Sequence, residues 1–256
     1  MSQAWLIASG KGGSGKSLVT AALGCALVDS GYSVCLIDGS FGLRGLDFPL
    51  GLQNETVFDI EDVLAGHCTL QDALVSPKGI PDLSLLTAPQ KSDIHHVTPE
   101  NLNRLIKELK RSAAYILIDL PTALNDTSRQ WFSAADGSIL VTTSEEASIR
   151  CCDQYSRFLR KNGINNQLLL INQVFEKWVN KGLCPAPQMI ADTLDLPLLG
   201  YLPADQKLIR FLMNNSYLNV SSGPFFEAIY RVCSRMLGET TAMPMLKAKF
   251  KPSDDK

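Results

Sequence analysis

A chain of 256 residues with 45% hydrophobic and 20% charged side chains has the apolar material for a substantial core, which sets aside disorder except at the ends. A formal charge of -2 argues against nucleic-acid binding through bulk electrostatics, so nucleic acid is not expected as a partner. No apolar run approaches the ~18 residues that a membrane-spanning helix needs.

In chain order, the first β-rich apolar run is "AWLIAS" (4–9), followed by a glycine loop and a helix over 16–30. "SVCLID" (33–38) and "LSLLTA" (83–88) are the next candidate strands. A helix is expected over 99–112, where "TPEN" offers a cap, and then the strand "YILIDLP" (115–121). "SILVTT" (138–143) precedes a helix over 145–162 that "SEEAS" opens with a cap and early acidic charge and "KNG" ends. "LLLINQV" (168–174) and "LLGYLP" (198–203) complete seven strands, with further helices over 205–214 and 224–237. Most of these strands read as continuous apolar runs, the pattern of strands covered on both faces. The alternation therefore predicts an α/β fold, a single doubly wound, mostly parallel sheet with helices on both faces. Ligands of such sheets sit beyond the carboxyl ends of the strands.

Gly10 to Ser17, "GKGGSGKS", matches G-x-x-x-x-G-K-[ST] between a strand and a helix, the context a phosphate-binding loop requires. The glycines Gly10, Gly12, Gly13 and Gly15 let the backbone of Lys11, Ser14 and the residues up to Leu18 turn its N–H groups toward a phosphate chain at the positive end of the helix. Lys16 would reach the β- and γ-phosphates, and the Ser17 hydroxyl would join a Mg²⁺ shell. The four apolar residues before Asp119 deliver its carboxylate to the same sheet edge, where it would hold Mg²⁺ through water.

Lys11 sets this loop apart, since flexibility alone has no use for a lysine before the glycine pair. The string "KGGSGKS" resembles the deviant Walker loop of the MinD/ParA family of ATPases, whose extra lysine marks them. The stretches at 35–52 and 57–74 resemble switch I and its following segment in the MinD-type branch, and "LIDLPTALND" resembles switch II. The resemblance implies ATP and Mg²⁺ as ligands and an ATP-dependent homodimer in which Lys11 crosses to the nucleotide of the second subunit. It implies that Asn172 of "LINQ" reads adenine, and that Pro203 and Asp205 of "LGYLPADQKL" close over the base. It spans about residues 4–238, implying one ATPase domain over 1–238 and a tail over 239–256. The expected role is a switch in cell-division site selection, cytoplasmic and peripheral at the inner face of the membrane. Its partners would resemble division-inhibitor and topological-specificity proteins.

Two departures bear on catalysis, for which Lys11, Lys16, Asp38 and Ser40 are the candidates. The family pattern after the second strand is Asp-x-Asp, whereas this chain reads Asp38-Gly39-Ser40. Serine carries no charge and is a poor base near neutral pH. "DLPTALND" also lacks the glycine of the usual Asp-x-Pro-Ala-Gly. Nucleotide binding is thus expected with slow hydrolysis, and the alternative is a regulatory scaffold that binds nucleotide with little turnover.

Rival readings are weaker. An iron–sulfur carrier needs paired cysteines, but the seven here are scattered with no C-x-x-C and read as reduced structural thiols. The basic runs "KELKR" and "RFLRK" read as solvated helix faces rather than a DNA surface. In the tail, Met243, Leu246 and Phe250 share one helical face beside Lys247, Lys249 and Lys251. Such a short amphipathic segment would touch anionic membrane weakly, and appreciably only as two copies in a dimer.

Overall fold

The computed structural model describes residues 2–90, 94–122, 126–206, 208, 223–244 and 246. The switch II positions 123–125, most of the helix expected over 205–214, and Phe250 lie outside the described residues. In chain order the elements are β1 (Gln3–Ala8), α1 (Lys16–Asp29), β2 (Val34–Asp38), α2 (Asp47–Leu50), α3 (Ile60–Ala65), α4 (Leu70–Ala73) and β3 (Leu83–Leu86). Then come α5 (Pro99–Leu109), β4 (Tyr115–Asp119), α6 (Asp126–Arg129), a 3-10 turn (Phe132–Ala134), β5 (Gly137–Thr142) and α7 (Glu146–Lys161). They end with β6 (Gln167–Val174), α8 (Glu176–Asn180), α9 (Pro187–Leu194), β7 (Leu198–Pro203) and α10 (Pro224–Met236). Among the described residues no helix is long and apolar enough to cross a membrane.

All seven strands lie in one sheet of order β3-β2-β4-β1-β5-β6-β7, and every neighbouring pair is parallel. β1 sits at the centre, where successive crossovers turn to opposite sides, so the loop after it opens into the crevice where such sheets bind ligands. Side chains alternate across each strand. Ala4, Leu6 and Ala8 enter one core with α5, α7 and α9, while Trp5 and Ile7 enter the other with α1 and α10. Both faces are therefore apolar, which is why the strand sequences run continuously hydrophobic.

α5 buries Leu102, Leu105, Ile106 and Leu109, one stripe at helical spacing, each worth ~1.5–3 kcal/mol when fully buried. Thr98 caps it by accepting from the Asn101 N–H at 3.2 Å, with Pro99 in the first turn. α1 lacks a polar stripe because it is enclosed between the sheet and α10. The cap expected from "SEEAS" is not made: the N-cap of α7 is Glu145, with no side-chain hydrogen bond. Ser148 instead accepts from the Thr143 N–H at 3.1 Å, tying the first turn of the helix back to the end of β5.

β7 is a sheet edge, and the chain after α10 covers it. Arg235 donates to Leu199 O at 2.9 Å, Thr241 O at 2.9 Å and Ala242 O at 2.8 Å, a three-carbonyl clamp. Tyr201 Oη donates to Pro244 O at 3.3 Å, and Met243 and Leu246 pack against the core. Residues 241–244 are not helical, so the amphipathic helix expected to begin near Met243 does not begin there. Two of its three apolar residues are already used by the domain.

Candidate nucleotide-binding site

The Gly10–Ser17 loop joins β1 to α1 at the carboxyl edge of the sheet. Gly13 and Gly15 adopt φ of 81° and 80°, left-handed conformations that a side chain would strain. Gly10 is needed for space, because a Cβ there would lie 2.4 Å from the Cys151 carbonyl of α7. Among the described residues nothing lies within 4 Å of where a Cβ of Gly12 or Gly13 would stand, so these residues leave the outer wall of the loop open.

The two lysines of the loop diverge. Lys16, only 7% exposed, turns inward and donates to Asp119 Oδ1. Lys11 turns outward to Glu145 at the start of α7. Asp119 also accepts from Ser17 Oγ at 2.5 Å and from Thr20 Oγ1 at 3.4 Å. Thr20 was not among the residues anticipated, although its position one helical turn after Lys16 puts it on the same face. Lys16, Ser17 and Asp119 are thus brought together. This hydroxyl–carboxylate pair beside a lysine suits a hard cation and a phosphate chain.

Asp38 and Asp119 end adjacent strands in register. Asp38 is fully buried and accepts three backbone N–H groups: Ser40 at 2.9 Å, Gly45 at 2.6 Å and Leu46 at 3.1 Å. It folds the 39–46 loop back on itself. Burial, with the Asp119 carboxylate second, raises its pKa to about 6. Ser40 is 9% exposed within this loop, and a Cβ on Gly45 would stand 3.5 Å from Ser17 Oγ, so the loop borders the side of the site that holds Ser17 and Asp119.

The ends of β6 and β7 bring Asn172, Pro203 and Asp205 to the same edge, with Ala204 N–H donating to Val174 O at 2.9 Å. Asp205 Oδ1 accepts from the Leu208 N–H at 3.3 Å. Asn172 is 3% exposed, and its amide is directed at the loop, donating to Ser14 O at 2.7 Å. Gln173, which nothing in the sequence singled out, donates to Gly13 O at 3.0 Å. Outside the loop, a cleft of about 730 Å³ is walled by Lys11, Gly13, Glu145, Gln173, Phe175 and Trp178.

A central-strand phosphate loop, an inward lysine and two strand-end aspartates on a parallel sheet define a P-loop nucleotide-binding protein. The family model of the CobQ/CobB/MinD/ParA nucleotide binding domain matches residues 5–218. The chain is 33% identical over 254 residues to the septum site-determining protein MinD of Bacillus subtilis, covering 98% of this chain and 95% of that one. The MinD structure from the MinC:MinD complex of Aquifex aeolicus aligns with a TM-score of 0.87 at 32% identity, covering 96% of this chain and all of that one. MinD of Pyrococcus horikoshii, complexed with Mg-ADP, aligns at 0.80 and 26% identity, covering 92% and 96%. The chain belongs to the MinD/ParA family of P-loop ATPases, in its MinD-type branch.

Proposed function

We propose that the protein is an ATP-dependent dimerising switch that places partner proteins during selection of the division site. The observation that carries this reading is the divergence of the two loop lysines: Lys16 faces its own site, whereas Lys11 stands on the outer wall, 39% exposed. Such a lysine is positioned to serve a nucleotide held by another copy. The partner class is supported by the Aquifex neighbour, described as a MinC:MinD cell division complex, and by the septum-site name of the Bacillus relative. A division-inhibitor-like protein and a topological-specificity-like protein are the proposed partners. The proposed location is the cytoplasm, with weak peripheral contact at the inner face of the membrane.

In this reading Lys16 and the loop amides through Leu18 hold the phosphate chain, and Pro203 and Asp205 lie beside the base. Lys16 and Ser17 share Asp119, and Ser17 directly, with Asp119 through water, would hold Mg²⁺ beside the phosphate chain. The bound Mg²⁺ supplies neutralisation of phosphate charge. Asp38 is occupied by three backbone donors and organises the 39–46 loop, while Ser40 adds no charge. That arrangement supports tight binding with slow turnover, and it keeps the scaffold reading as the second one.

The test compares Lys16→Ala with Lys11→Ala by titration calorimetry and light scattering. Lys16→Ala should lose tight ATP binding, whereas Lys11→Ala should bind ATP and fail to dimerise. Equal loss of binding in both, with no ATP-dependent dimer in the wild type, overturns the role given to Lys11.

A further inference from the structure

We infer that Phe175 and Trp178, stacked beside the phosphate loop, are the apolar anchor through which one copy of the chain seats against a second. The inference rests on the ATP-dependent dimer of the proposed function and assigns the surface that dimer uses.

The two rings stand 4.3 Å apart between centroids and 23° apart between planes, yet Phe175 is 42% and Trp178 50% exposed. The backbone beneath them is fixed. The Trp178 N–H donates to Phe175 O at 2.8 Å, the Leu183 N–H donates to Trp178 O at 2.9 Å, and Val179 between them is fully buried. The aromatic face is therefore presented in one arrangement, which spares ordering cost on contact. Rigid aromatic side chains with an apolar face open to water are those on which interfaces concentrate their binding energy.

The cleft that these rings line, about 730 Å³, also points to the occupant. Its other wall carries Lys11, and a lysine that serves a nucleotide held by another copy brings its own cleft against that copy. Charge fits the same choice. Lys11 stands beside Glu145, so the wall carries both signs, as a two-fold contact of one surface with itself requires. Each lysine can then meet the acid of the opposite copy. The cleft also contains the buried hydroxyls of Ser14 and Ser144, which have no partner among the described residues. Polar groups entering with the second copy would find hydrogen bonds there.

Trp178 reports on its own burial. The other two tryptophans, Trp5 and Trp131, are buried, so acrylamide quenching of tryptophan emission in the full chain reads mainly Trp178. Quenching and light scattering are followed together over protein concentration with Mg-ATP. ATP binding and dimerisation are then compared for the wild type, Phe175→Ser, Trp178→Ser and Trp178→Phe. Quenching should fall only as the dimer forms, and ATP affinity should stay within about 2-fold of wild type in every variant. The dimer dissociation constant should rise at least about 10-fold in the two serine variants and less than about 3-fold in Trp178→Phe, which keeps an aromatic face. A Trp178 that stays quenchable in the dimer leaves the cleft to another protein and overturns the anchor, as do serine variants that dimerise like wild type. Quenching lost with ATP while the chain is still monomeric places nucleotide in the cleft and overturns it as well. A wild type that binds ATP and never dimerises overturns the proposed switch itself, which separates the two failures.

Discussion

Asp38 and Asp119 are register partners at the ends of β2 and β4, yet they accept from different groups: Asp38 from three backbone amides, Asp119 from the side chains of Lys16, Ser17 and Thr20. One carboxylate shapes a loop and the other receives the chemistry. Asp38→Ala should therefore release the 39–46 loop while the domain stays folded. Hydrogen bonds to a charged acceptor are worth ~1.5–3 kcal/mol, so the Gly45 and Leu46 amides should exchange at least about 10-fold faster. Unchanged protection of both would show that the loop does not depend on Asp38.

Ser40→Asp should raise ATP turnover severalfold, because a carboxylate here can orient water near the metal side of the site. The same change places a second acid beside Asp38, which already resists ionisation through burial and Asp119. The nucleotide-free variant should lose ~1–2 kcal/mol of stability from this like-charge crowding, and Mg²⁺ with ATP should restore it. Steady-state turnover and urea unfolding check both halves. A rate at or below wild type removes Ser40 as the cause of slow hydrolysis.

Trp131→Phe should cost little, within about 1 kcal/mol, against ~3–5 for truncating a buried aromatic to alanine. The indole is fully buried and its N–H has no hydrogen-bond partner among the described residues, packed where a Cβ on Gly39 would stand 3.1 Å from Nε1. Phenylalanine gives up some area and also removes an unpaired donor, and the two effects oppose. A loss above ~3 kcal/mol in urea unfolding would show that ring volume alone decides.

Arg235→Ala should free the chain from Thr241 onward by removing the clamp on Leu199, Thr241 and Ala242. Trypsin should then cut earlier at Lys247 and Lys249, and sedimentation with anionic vesicles should rise without ATP. Adding Phe250→Glu should abolish that gain. Equal sedimentation of wild type, Arg235→Ala and the double variant would remove the tail from any membrane role.

The strands were legible because each is buried on both faces, leaving one unbroken signature, and the phosphate loop was legible because its spacing is dictated by a ligand. The helices between β2 and β3 were not. α2, α3 and α4 span four to six residues, too few for a 3.6-residue period to register, although Asp59 and Thr69 cap α3 and α4 through their own side chains. Lys16, Ser17 and Asp119 meet as their motif positions implied. Gln173 left no trace in the sequence because its contact with the loop depends on a local backbone irregularity in β6. Asn172 stood out in the sequence as a candidate, while the direction of its amide, toward Ser14 O, is set by where β6 ends relative to the loop. Met243 and Leu246 show the reverse case, an amphipathic pattern that the domain's own sheet edge consumes.

Gly10 stands so close to α7 that a side chain there would not fit, with the Cys151 carbonyl 2.4 Å from where a Cβ would be. Loop and helix therefore meet backbone to backbone at this point. The outward side of that helix bears the ladder Glu146–Arg150 and Asp153–Arg157. The close approach at Gly10 thus sets the phosphate loop and this row of charges on the two sides of a single helix.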